Sequence, residues 1–188
     1  MHFLQMIFAT FLFGITTTAS AQTPTSNEID PLAYVLPKDK SEVFEIEWSD
    51  LLPPGEAERY AERKMQELQS LWDVEEGSEA DIARQLGTHN AVTILDGHAI
   101  RLAGYAVPFE FGRNAMITEF LLVPYEGACL HAPPPPPNQT VYVKTSKPIR
   151  LKDLSKAIWA EGELNVTSTY TNLADAAYIL NLTTLEKY

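Results

Sequence analysis

From Val92 onward the chain is a succession of short apolar runs that alternate with polar residues and are cut by turn residues. No other feature constrains the fold as strongly. Val92 and Ile94 lead into the turn pair Asp96-Gly97, a hairpin signal. In His98–Pro108, Ile100 and Leu102 alternate with Arg101, the period of a half-buried strand. Ile117–Pro124 is apolar enough to be central in a sheet. Thr140–Lys144, Ala157–Val166 and Ala177–Glu186 follow, which makes five or six strands in about 100 residues. That is the scale of a small barrel or sandwich. Gly104 and Gly162 interrupt two of these strands, where a strongly coiled strand needs a bend or bulge. The expected fold is mainly β with one N-terminal helix: a small OB-like (Greek-key) β-barrel, with an open β-sandwich as the alternative.

Ahead of the strands, Phe44, Ile46 and Trp48 alternate with Glu45 and Glu47 and predict a further short strand. Residues 56–72 predict a helix. Glu56 and Glu58 lie in its first turn, where the macrodipole favours acids. Tyr60, Ala61, Met65, Leu68, Leu71 and Trp72 fall on one stripe at spacings of three and four. Phe3–Ile15 is apolar and is followed by Ala19-Ser20-Ala21, so residues 1–21 read as a secretory signal peptide cleaved after Ala21. A membrane anchor is the rival reading, but the run is short for a span of about 20 residues; no transmembrane span is expected after cleavage. Residues 22–40 read as a flexible segment, and 41–188 as one domain whose barrel begins near residue 90.

The formal charge of −11 opposes a nucleic-acid partner, because phosphate binding needs a basic footprint. One cysteine cannot form an internal disulfide, so the fold rests on its apolar core. In an exported protein that lone thiol asks for burial, a metal or an intermolecular partner.

Candidate chemistry concentrates between Glu119 and Tyr142. Cys129 and His131 are two residues apart, Pro133 to Pro137 follow, and Asn138-Gln139 leads back into the strands. In extended backbone, residues i and i+2 share a side, so a thiolate and an imidazole could contact one zinc or copper ion. Glu119 could contribute from a neighbouring strand. Two ligands do not make a closed site. The plain alternative is a buried cysteine acting as a small hydrophobe. A Cys129–His131 nucleophile pair is a third reading, but no oxyanion donor is evident beyond the backbone near Gly127. The proline run is either a rigid connection or a ligand for a partner's aromatic groove. The amides of Asn138 and Gln139 are expected to bond the proline carbonyls.

Several segments together resemble one family: Leu95–Pro108, Thr118–Tyr125, Gly127-Ala-Cys-Leu-His131 with the proline run and Asn138-Gln139, and Trp159-Ala-Glu-Gly162. They resemble the bacterial exported proteins grouped as DUF3299, over roughly Phe44 to the C-terminus. His98 stands where the family would have a Lys in the Asp-Gly-Lys turn. The resemblance implies a periplasmic protein without an established activity. It also implies an accessory role beside an ABC-type envelope transport system, in some cases in a zinc-responsive setting. The expected function is therefore a periplasmic binding or accessory protein in which Cys129 and His131 contact zinc. The alternatives are a metal-free module that docks through the polyproline loop and a thiol-dependent enzyme. An enzyme is the less favoured class.

Overall fold

β2 (His98–Pro108) is the strand on which the sheet is built, because it pairs on both sides. A computed structural model describes residues 36–70, 84–110, 116–129, 133–151 and 153–188, all within one compact unit, Pro31–Tyr188. The expected signal peptide and most of the segment to residue 40 lie outside the described residues. Leu36 packs on the main core, and the Lys40 carbonyl accepts from the Ala99 N–H at 2.7 Å. The end of that segment is therefore fastened to the sheet.

The described residues form one helix, α1 (Glu56–Ser70), and one sheet of six strands. The other strands are β1 (Phe44–Glu45), β3 (Ile117–Val123), β4 (Val141–Ile149), β5 (Ile158–Thr169) and β6 (Ala176–Lys187). Mainly β with one helix is the class that the sequence predicts. β2 pairs antiparallel with β3 and β5, β3 with β4, and β5 with β6; β4 and β6 run parallel. β1 is only two residues long and lies parallel to β2, because the chain turns into a 3-10 segment at Trp48–Leu51.

Alternation sorts the side chains. Ile100, Leu102 and Ala106 of β2 join Phe120 and Leu122 of β3, Val141 and Val143 of β4, and Leu164, Tyr178 and Leu180 in the main core. Val107, Leu121 and Val123 fall one residue out of phase and form a smaller cluster on the other face with Ala128 and Ala174, as a period of two requires. The ladder of β5 and β6 shifts register between Glu161 and Gly162. A Cβ on Gly162 would run into the Asn181 carbonyl. Gly104 has no bulge; a Cβ there would meet the Val123 carbonyl at 2.8 Å and the Trp48 ring at 3.0 Å.

Two expectations need correction. β4 continues through Pro148 to Ile149, where a loop was expected from Ser146. The ladder is irregular between Ile117 and Glu119, and irregular pairing tolerates a residue without an N–H. The helix stripe is not buried: Met65 is 58% and Leu68 48% exposed. The strands fill the main core largely with their own side chains. α1 buries only Glu56, with Tyr60 half-buried.

Candidate functional site

The connection from β3 to β4 meets the first turn of α1 around a buried carboxylate. Glu56 is 2% exposed. Its Oε1 accepts from Arg59 Nη2 at 2.8 Å and Asn90 Nδ2 at 2.8 Å, and its Oε2 from Thr88 Oγ1 at 2.8 Å and Asn138 Nδ2 at 3.4 Å. Burial pushes its pKa up, but the bonds from Asn90, Arg59 and Thr88 and the Arg59 charge outweigh burial and hold it at about 2. A buried ion is tolerated where hydrogen bonds replace its hydration shell. Sequence reasoning saw Glu56 only as a first-turn acid. Its position directly after Pro53-Pro54-Gly55 was the available signal, since Gly55 at φ +75° turns the chain sharply before the helix.

The proline run is fastened down. Pro133 is exposed, Pro135 to Pro137 are buried, and Pro137 opens a 3-10 turn. Of the amides expected to bond its carbonyls, the Gln139 backbone N–H donates to the Pro136 carbonyl at 2.8 Å, while the Asn138 and Gln139 side chains bond elsewhere. Gln85 Nε2 donates to the Pro135 carbonyl at 2.8 Å, and Thr140 Oγ1 to the Pro136 carbonyl at 3.0 Å. Asn138 instead reaches Glu56 and the Asn90 carbonyl (3.0 Å), and Gln139 Nε2 donates to the Trp48 carbonyl at 2.6 Å. These amides tie the run to other segments because it lies against them. Gly87, at φ +113°, packs on Pro136 so closely that any Cβ would collide with its ring. Backbone conformation and contact both demand glycine there.

Cys129 follows buried Ala128 and takes a left-handed φ of +65°. It is half-buried and packs against the smaller apolar cluster. Burial pushes its thiol up to about 11, so the sulfur is protonated near neutrality. A thiol nucleophile needs the opposite shift. His131 lies outside the described residues. Glu119 sits on β3 opposite Lys144 in the ladder. It lies beside Tyr142, whose phenol is pushed up to about 12, first by burial and then by the Glu119 carboxylate. Among the described residues no three His, Cys, Asp or Glu side chains converge as a metal-holding group.

Between α1 and the loop runs a groove of about 280 Å³ lined by Leu52, Tyr60, Lys64, Tyr125, Pro135 and Pro136, among others. Tyr125 Oη donates to the Pro133 carbonyl at 3.0 Å, which holds one wall. Burial raises the Tyr60 phenol. It also raises that of Tyr125, with Tyr60 and Cys129 adding to the rise. Both phenols are therefore neutral donors at physiological pH. Two aromatic rings, proline walls and one cation suit capture of an extended, largely apolar segment.

The family model described as a protein of unknown function, DUF3299, matches residues 48–187. A crystal structure of a DUF3299 family protein from Pseudomonas aeruginosa PAO1 shares 34% identity with this chain at a TM-score of 0.60. The match covers 79% of this chain and 97% of that one. No curated protein matches. With three-quarters of its length matched by the family model and with this solved relative, the chain belongs to the DUF3299 family.

Proposed function

We propose that this protein is a periplasmic accessory domain that binds an extended segment of an envelope protein in the groove between α1 and the Pro124–Gln139 loop. The observation that carries the reading is the groove itself, with Tyr60 and Tyr125 over walls formed by Pro135 and Pro136. Those walls are fixed by the Glu56 cluster and by Gln85, so the seat is formed before a ligand arrives and little ordering cost attends binding. Met65 and Leu68, exposed further along α1, extend the apolar surface. The buried prolines serve here as walls, not as a presented ligand.

The scaffold reads as an OB-like barrel. Support comes from β5 pairing with both β6 and β2, which returns the ladder to its first long strand. The parallel β4–β6 pair supplies the Greek-key crossover. The ABC-type transport system implied by the family resemblance is the first partner to test. Binding of the protein to the periplasmic domain of such a permease is measured by calorimetry. Tyr60→Ala and Tyr125→Ala each weaken it at least about tenfold, as loss of a buried aromatic anchor does, with circular dichroism unchanged. No binding, or equal binding by both folded variants, overturns the reading. Export is tested by fractionation and by sequencing the mature N-terminus, expected to start at Gln22.

A further inference from the structure

At the far end of β4 from the groove the sign of charge reverses. The chain carries −11 in total, yet residues 147–156 hold Lys147, Arg150, Lys152 and Lys156 against one acid, Asp153. Lys187 of β6 joins Arg150 and Lys156 around a concavity of about 560 Å³. Two acids line it as well: Glu186 is paired, while Asp153 keeps its charge beside Lys156. Asp153 Oδ1 accepts from the Ser155 N–H at 3.0 Å and the Ser155 hydroxyl at 2.7 Å. Glu186 pairs with Arg101 at 3.1 Å. Arg101 in turn lies 4.6 Å over the Trp159 ring, against which Tyr188 packs at 5.3 Å. Among the described residues, none of Lys147, Arg150, Lys156 and Lys187 forms an ion pair within 4.0 Å. The concavity also has apolar lining from Leu151, and Tyr188 is 74% exposed at its rim.

We infer that this end of the sheet docks on an anionic phospholipid surface, with Arg150, Lys156 and Lys187 holding headgroup phosphates and Tyr188 at the membrane interface. Three arguments favour a bilayer. Clusters of four or more Lys and Arg are what anionic headgroups attract. Tyrosine, with an apolar ring and a polar tip, partitions to the headgroup level. The nine residues of β4 span about 26 Å at ~3.3 Å each, several times a Debye length of about 8 Å, so acids near the groove are screened from this end. Among the described residues no helix is long and apolar enough to span a membrane, and peripheral docking needs none. The inference does not depend on what occupies the groove, and it leaves the groove free to face away from the bilayer.

The test is cosedimentation of the full mature protein with vesicles of phosphatidylcholine, with and without phosphatidylglycerol. The expected result is binding only to the phosphatidylglycerol vesicles, declining with added salt. At roughly fivefold per cation, Arg150→Gln/Lys156→Gln/Lys187→Gln loses on the order of 100-fold, while Lys38→Gln/Arg63→Gln/Arg84→Gln, with the same net charge, keeps most of the binding. Absence of binding to phosphatidylglycerol vesicles at low salt overturns the inference. So does equal loss in the two triple variants, which would mean that net charge alone matters. Glycerol phosphate and an oligoglutamate peptide are titrated separately. Saturable binding of either one without vesicle binding assigns the pocket to a soluble anion and overturns membrane docking.

Discussion

Asn138, at the end of the proline run, donates through Nδ2 to Glu56 Oε2 at 3.4 Å across 82 residues of chain. The same Glu56 carboxylate accepts from Asn90 and Thr88. One buried acid therefore fixes the relative position of the helix start, the segment before β2 and the loop after β3. Removal of the carboxylate takes the acceptor from four residues, Arg59, Thr88, Asn90 and Asn138. Glu56→Ala is expected to cost about 3 kcal/mol, the usual penalty for breaking a buried charged network. The check is urea denaturation, and the groove should lose shape as well as stability.

Acid should reveal the same group. The folded pKa of Glu56 is about 2 against an ordinary 4.5. A depressed carboxylate contributes stability that is fully present above the unfolded value and is lost as pH falls through the folded one. Between about pH 5 and pH 2 the wild-type protein should therefore lose about 3 kcal/mol more than Glu56→Gln does. Parallel pH profiles for the two proteins would refute this role for Glu56.

Tyr178 is fully buried, and its hydroxyl donates to the Leu51 carbonyl at 2.7 Å while accepting from the Val92 N–H at 2.8 Å. Tyr178→Phe keeps the ring and removes both bonds, leaving a buried carbonyl and a buried N–H unpaired. The expected cost is about 1–3 kcal/mol, read as a lower melting temperature with an unchanged circular dichroism spectrum below the transition.

Cys129 should react slowly. A thiol pushed from 9.0 to about 11 exposes roughly 100-fold less thiolate near neutral pH, and the thiolate is the reacting species. Labelling by a disulfide reagent should be slower than for free cysteine by at least that factor, and should become fast in urea. Rapid labelling of the native protein would restore the thiol-enzyme reading.

Gly87→Ala sets a left-handed backbone against a side chain and drives a methyl group into Pro136. The expected loss is about 1–3 kcal/mol, with faster proteolysis at the loop.

The long strands were legible because alternation is local: Ile100, Leu102, Phe120 and Leu164 announce themselves by period alone. The mainly β class followed from them. Less could be read where tertiary context overrules local pattern. α1 has the stripe of a buried helix, yet Met65 and Leu68 face solvent, since a sheet that fills its own core leaves no apolar face for the helix. The loop from Pro124 to Gln139 was recognisable as the place to look. The partner of Asn138 was not, because Glu56 lies in a different element and only the fold brings the two together. Cys129 and its surroundings show the limit of spacing arguments: two residues apart says nothing about how much water the sulfur keeps.

β6 lies between β4 and β5, although it follows both in the chain. For a polypeptide delivered N-terminus first, β4 and β5 each wait for a neighbour that arrives last. β1 to β5 can pair with one another first, but the sheet closes only when residues 176–187 enter between β4 and β5. A chain halted before that point would present two long strands, β4 and β5, each unpaired along one edge, which makes the final dozen strand residues the moment of commitment in the protein's biogenesis.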